Sequence, residues 1–195
     1  MKLVQNISYI PHFMSWVILS GLFMQLFYRG GIVNNVLIAP LLGVKVDFFG
    51  DPRYFRSVLV VTDIWKNVGW GSIIYLAAIT GISPELYESA YMDGARRLQQ
   101  TWYITLPSIM YVVSILLILS LGGILNAGFE QVFLFYSPMV MRVGDIIDTY
   151  VYRVGLVQMN YSYSTAVGFL KGLVSAALIL SVNKITRAMG QQGIW

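Results

Sequence analysis

The sequence predicts an all-α fold, a polytopic membrane bundle of about four spanning helices with a helix–turn–helix loop outside the bilayer. Composition gives the first reason. Of 195 residues, 57% are hydrophobic and 11% charged, and mean hydropathy is +0.67. A soluble domain carries about 25% charged residues, so this much apolar surface calls for lipid as its solvent. The second reason is length: four apolar stretches reach ~20 residues, enough at ~1.5 Å per residue to cross a ~30 Å hydrocarbon core.

The first predicted span, residues 3–28, holds no Asp, Glu, Lys or Arg. Its single early lysine and long apolar run do not resemble a cleaved secretory signal. The second, residues 57–82, carries Asp63 and Lys66, and the third, residues 98–129, is again uncharged. The fourth, residues 165–185, includes Lys171 and Lys184. Between the first two spans, residues 29–56 form a loop with one short interfacial helix over 33–42. Residues 130–163 form a polar and aromatic loop with a short helix near 146–154. Neither an internal repeat nor a low-complexity segment is evident.

Several function classes fall away on residue counts. The absence of cysteine removes disulfides, thiolate zinc sites, iron–sulfur clusters and cysteine nucleophiles. One histidine, His12, leaves no multi-histidine metal site and lacks an evident catalytic partner. The thirteen basic residues are scattered, with no run longer than Arg96-Arg97, so a net charge of +4 does not make a nucleic-acid surface. An ion-coupled carrier would place several carboxylates in its spans, yet only Asp63 lies in one. The positive-inside count is five against six and leaves orientation undecided.

The loop between the second and third spans is the informative one. Ser83-Pro84-Glu85 reads as a helix start: a hydroxyl N-cap, proline at the first helical position and a carboxylate at the positive dipole end. About ten residues later Asp93-Gly94 supplies a turn, glycine taking positive φ easily, and a second short helix covers 95–104. A connector needs about two to eight residues; some twenty ordered ones suggest a docking element. Glu85, Glu88 and Asp93 make it a poor binder of anionic headgroups, which disfavours a simple interfacial cover.

The string Glu88-Ser89-Ala90-Tyr91-Met92-Asp93-Gly94-Ala95, followed by Ile104-Thr105-Leu106-Pro107, resembles the EAA loop of type I ABC importer permeases. Ser89 replaces the first alanine of that pattern. Ser8-Tyr9-Ile10-Pro11-His12-Phe13-Met14-Ser15-Trp16-Val17 and the ending Gly190-Gln191-Gln192-Gly193-Ile194-Trp195 resemble the carbohydrate branch, of polysaccharide and complex-oligosaccharide type.

The resemblance implies a single permease domain over 1–195, with 83–103 as its cytoplasmic coupling loop and both termini cytoplasmic. Such permeases have about six spans. The two expected before residue 3 are absent, so the chain is expected to be clipped, its gene start misplaced, or a remnant of a permease gene. The implied ATPase-coupling residues are Glu85, Tyr87, Glu88, Ser89, Ala90, Asp93, Gly94 and Ala95, with Tyr87, Tyr91 and Leu98 offering apolar anchorage. No Walker-type lysine loop is present, so ATP is expected to bind a separate ATPase dimer and this chain to carry no cofactor. A second permease subunit, an extracellular substrate-binding protein, an oligosaccharide and membrane lipid complete the implied partners.

Residues inside the spans have two readings each. Asp63 and Lys66 share a helix face. They form either an internal pair with a snorkelling lysine elsewhere at Lys171, or, with Trp70 and Lys171, a polar lining for a sugar path. Trp16, Trp65, Trp70 and Tyr75 are belt anchors or sugar-stacking platforms. His12 reads as a packed histidine. Gly168 and Gly172 form a GxxxG, expected to pack against another helix.

Overall fold

The computed structural model describes residues 2–188, so the resemblance at 190–195 and the position of both chain ends lie outside the described residues. Among the described residues all regular structure is helical. Two compact units emerge: residues 1–70 with 125–170, and residues 71–124 with 171–195.

In the first unit, α1 (Lys2–Phe13) and α2 (Trp16–Phe27) meet at a 108° bend. The single straight span expected over 3–28 is therefore broken. Pro11 lies in the last turn of α1, and Ser15 starts α2 afresh, its Oγ accepting the Ile18 N–H at 3.4 Å. A π-type turn (Val33–Ile38) and α3 (Ala39–Leu42) form the short helix expected over 33–42. Buried Asn34 pins this loop: its Nδ2 donates to the carbonyls of Tyr28 and Val46, both at 2.9 Å, and its Oδ1 accepts the Val46 N–H at 2.8 Å.

α4 (Pro52–Thr80) is longer than the predicted 57–82 at its start. Asp51 explains the earlier beginning: its Oδ1 accepts the Arg53 N–H at 2.9 Å, with Pro52 at the first helical position. Next comes a helix within the segment expected to be a loop, α8 (Phe129–Phe135), led in by Gly128 at φ 68°. It packs on α2, and the core joins Trp16, Leu19 and Phe23 to Phe55, Phe135 and Val140. α9 (Met141–Gly144), α10 (Ile147–Tyr152) and a π-type turn (Arg153–Val157) follow, the last two matching the helix expected near 146–154. Trp16 is thus a core residue, its ring edge-on to Phe135, and neither a belt anchor nor a sugar platform.

The second unit contains the rest of α4, then α5 (Pro84–Met92), α6 (Arg97–Gln100) and α7 (Leu106–Gly122). The separate short helix expected over 95–104 is instead continuous with the span. Arg97–Gly122 forms one helix of 26 residues, and a wider π-type turn, Thr101–Thr105, absorbs Pro107, whose ring crowds the preceding turn of a regular helix. The span ends at Gly122-Gly123, short of the predicted 129. A Cβ on Gly122 would stand 2.6 Å from Ile179 Cδ1, so its bareness permits close approach to α11 (Tyr161–Ala188). Gly168 and Gly172, by contrast, have nothing within 4 Å of a Cβ. The packing expected of that GxxxG is not made among the described residues.

Arg97–Gly122 and Tyr161–Arg187 are each long and apolar enough to cross a membrane, and the bent pair adds a third crossing if counted as one. α4, at 29 residues, is about 44 Å long. Asp63, Lys66 and Asn67 in its middle make it less apolar than the other two. Almost none of the apolar surface of α11 is buried, as expected of a lipid-facing helix.

Candidate functional site: a coupling loop and a polar cleft

Two groups of residues carry the chemistry singled out in the sequence, and each belongs to one unit. The first is the loop after α4. Pro84 opens α5 as expected, but the hydroxyl of Ser83 makes no cap bond; its carbonyl accepts the Leu86 N–H at 3.3 Å instead. The far end of α5 is closed by a Schellman pair. Gly94, at φ 77°, donates its N–H to Tyr91 O at 3.0 Å, and Ala95 donates to Ala90 O at 2.9 Å. Gln99 Oε1 then accepts the Arg96 N–H at 2.7 Å and starts the next helix.

This geometry sorts the expected coupling residues. Glu85, Glu88, Ser89, Asp93 and Gly94 are exposed, and Ala90 and Ala95 are half-buried at the turn. Ser89 directs its hydroxyl to Leu86 O at 3.1 Å. Tyr91, Met92 and Leu98 stand 74–84% exposed, giving an apolar rim beside the carboxylates. Tyr87 does not join that rim. It is half-buried, and its hydroxyl meets Thr105 Oγ1 at 2.9 Å, tying α5 to the base of the following helix.

The second group lies in the first unit. A cleft of about 560 Å³ opens between α4 and the segment around α8, with Arg56, Asp63, Asn126 and Gln131 as its polar lining. Buried Gln131 fixes one wall: its Nε2 donates to Leu59 O and to Thr62 Oγ1, both at 2.8 Å. Arg56 Nε donates to Val143 O at 2.9 Å across the opening. Such a mixture of carboxylate, amides and guanidinium suits the hydroxyls of a sugar. Of these four lining residues, the sequence pattern marks Asp63 alone and not Arg56, Asn126 or Gln131. Asn126 and Gln131 flank a φ-positive glycine in a segment that reads as span end and loop, and only the apolar spacing Phe129, Val132, Phe133 hints at the helix there.

Lys66 is overturned as a lining or paired residue. It is 7% exposed, and its Nζ donates to Met14 O, to His12 O at 3.1 Å and to Pro11 O at 3.5 Å. It also sits 5.3 Å from the Trp16 ring centroid. A cation at the carbonyl end of α1 answers both the helix dipole and the unsatisfied last turn. No ion pair joins it to Asp63 among the described residues. Asp63 instead accepts from Asn67 Nδ2 at 2.8 Å. Trp70 stacks on His12, ring centroids 4.6 Å apart and planes 1° apart. Lys171 is half-buried at the eleventh position of α11 and belongs to the second unit, deeper than a start at residue 165 placed it.

Outside the spans, Asp145 and Arg153 form an ion pair at 2.5 Å, with Arg153 Nη1 also donating to Tyr136 Oη at 2.9 Å. Burial pushes the Asp145 carboxyl upward, but hydrogen bonds from Arg153 and Thr149 outweigh it and hold its pKa below the ordinary carboxylate value. The same bond to Asp145 raises the Arg153 guanidinium further.

The family described as binding-protein-dependent transport system inner membrane component matches residues 1–191. The chain belongs to that family. It is 46% identical over 195 residues to the polygalacturonan/rhamnogalacturonan transport system permease YteP of Bacillus subtilis, covering 100% of this chain and 60% of that one. It is 43% identical over 194 residues to the protein LplB of the same organism, covering 100% and 61%. The maltose/maltodextrin permease MalF of Escherichia coli K12 is 30% identical over 189 residues, 91% of this chain and 36% of MalF. A crystal structure of a bacterial alginate ABC transporter, in complex with an alginate pentasaccharide-bound periplasmic protein, matches with a TM-score of 0.93 and 41% identity. The match covers 99% of this chain and 67% of that one. The chain thus has the all-helical type I ABC permease fold, and it spans about three fifths of the length of the first two relatives.

Proposed function

We propose that this chain serves as a membrane-spanning subunit of an ATP-driven importer of oligosaccharides or polysaccharide fragments. Acidic, pectin-type fragments are the first class to try. The names of the YteP-type and alginate-transporter relatives support the substrate class. The observation that carries the mechanism is the Schellman-closed turn at Gly94, which presents Glu88 and Asp93 from a short rigid helix pair between α4 and α7. A lever of this kind transmits a push from a partner into both membrane helices. Exposed carboxylates offer it charge-assisted hydrogen bonds, and Tyr91 and Leu98 offer apolar contact.

In this reading ATP binds and is hydrolysed on a cytoplasmic ATPase dimer, and this chain itself carries no cofactor. Residues 83–103 and both termini face the cytoplasm. A second permease completes the path, an extracellular binding protein delivers the sugar, and the Asp63 cleft belongs to the translocation path. Uptake of labelled oligogalacturonate by cells with and without the gene tests it. Gene-dependent and ATP-dependent uptake supports the assignment; equal uptake of that probe and of neutral oligosaccharides in both strains refutes it.

A further inference from the structure

The corner between α1 and α2 reaches the cleft through a chain of side chains. Lys66 holds the corner by taking three carbonyls at the end of α1. A Cβ on Gly69 would collide with the carbonyl of Ser8, so α1 lies directly on α4 one turn further along. Held this way, the His12 ring lies flat on Trp70 and its Nδ1 is 3.1 Å from Asn67 Oδ1. Asn67 spends its Nδ2 on Asp63 Oδ1 at 2.8 Å. Its carbonyl therefore faces His12, and the His12 Nδ1 carries the proton that it donates. The lining carboxylate is thus the last member of a directed chain, His12 to Asn67 to Asp63, that begins at a broken helix.

We propose that His12 and Asn67 are positioning residues for Asp63, fixing the direction in which its carboxylate accepts hydrogen bonds from sugar hydroxyls in the cleft. The proposal rests on the reading that the cleft lies on the sugar path. A carboxylate left to rotate would still be charged, but it would lose the ordering that lets it engage a hydroxyl without an entropic cost. The chain makes no use of the His12 charge, since Nδ1 donates in either protonation state. Lys66 is the built-in cation of the corner: it neutralises the end of α1 and leaves no ammonium for the cleft.

The test is oligogalacturonate uptake by cells carrying the permease with its transport partners, read as separate KM and Vmax, with membrane abundance followed by immunoblot. Asp63→Asn is expected to raise KM about tenfold or more, as loss of a charged hydrogen-bond acceptor does. His12→Leu is expected to raise KM about three- to tenfold, the effect of one neutral hydrogen bond, with Vmax within about twofold. His12→Gln, which keeps an N–H donor, is expected to restore most of it. An unchanged KM in His12→Leu beside a raised KM in Asp63→Asn overturns the positioning role and leaves the cleft assignment standing. An unchanged KM in Asp63→Asn overturns the cleft assignment and the positioning role with it. Should His12→Leu fail to reach the membrane, Asn67→Ala decides in its place, since it cuts the chain without disturbing the stack on Trp70.

Discussion

The Tyr87 hydroxyl meets Thr105 Oγ1 at 2.9 Å, eighteen residues apart in sequence, and this bond closes the loop after α4 onto the helix that follows it. Thr105 Oγ1 also lies 3.5 Å from Gln100 O. A lever needs such a brace, because α5 alone has nine residues and no buried side chain. Tyr87→Phe removes only the hydroxyl and is expected to cost about 1 kcal/mol of local stability. Protease accessibility between α4 and α7 should rise, and transport per ATP hydrolysed should fall; unchanged values of both refute the brace.

Reversal of charge at the tip tests the partner contact itself. Glu88 is exposed, so Glu88→Lys is expected to leave membrane abundance unchanged. Replacing a charge-assisted acceptor by a cation should cost roughly 2–3 kcal/mol of docking. Uptake is expected to fall while ATP hydrolysis by the membranes becomes insensitive to sugar. Loss of the protein from the membrane would assign Glu88 to folding instead.

Gly94 separates backbone conformation from space. Its φ is 77°, yet nothing lies within 4 Å of the place a Cβ would take, so a side chain there meets only its own backbone. Asn adopts this region at small cost and a β-branched residue does not. Gly94→Asn is therefore expected to transport nearly normally and Gly94→Val to lose coupling, with both present in the membrane. Equal behaviour of the two variants would refute a conformational role for the turn.

The membrane helices and the loop could be read from the sequence because each rests on a local signal. Residues 161–188 show long apolarity with few charges, and Ser83 to Gly94 carry a helix start, a stop and a glycine turn within twelve residues. The corner at residues 14–15 could not be read that way. An uncharged run looks like one span whether or not it bends, and the lysine that holds the bend is fifty-two positions away from Met14. Lys66 therefore looks, in sequence, like an intramembrane charge in search of a carboxylate, when backbone carbonyls are its partners. The cleft escapes for the same reason. Gln131 acquires its meaning from Thr62, sixty-nine positions earlier, and α8 is too short to show a period.

Acid should loosen the segment between α7 and α11. Asp145 has a pKa below its ordinary value in the folded chain, so its contribution to stability is complete above the ordinary carboxylate range. That contribution is lost as pH falls through the folded value, where protonation breaks the bond to Arg153. Protease cleavage within residues 136–160 is expected to rise steeply only on acidification below that range. In Arg153→Met, cleavage should be elevated at neutral pH and change less with acid; an identical acid profile in that variant would assign the loosening to other groups.

Gly69 offers the most severe prediction, because geometry leaves no room for adjustment. A Cβ at this position runs into the carbonyl oxygen and carbon of Ser8, which are backbone atoms that cannot rotate away as a side-chain tip can. Even Gly69→Ala must push α1 off α4, and the three carbonyl bonds of Lys66 and the stack of His12 on Trp70 lie one turn away on the same contact. Lys66 would then be a desolvated cation without its acceptors, a loss of several kcal/mol, far beyond the ~1 kcal/mol that replacing a helical glycine by alanine would gain. Gly69→Ala is expected to deplete the protein from the membrane. Gly71→Ala, two residues on in the same helix with nothing within 4 Å of its Cβ, is expected to be neutral or slightly stabilising. Matching abundance of the two variants would refute the close contact between α1 and α4.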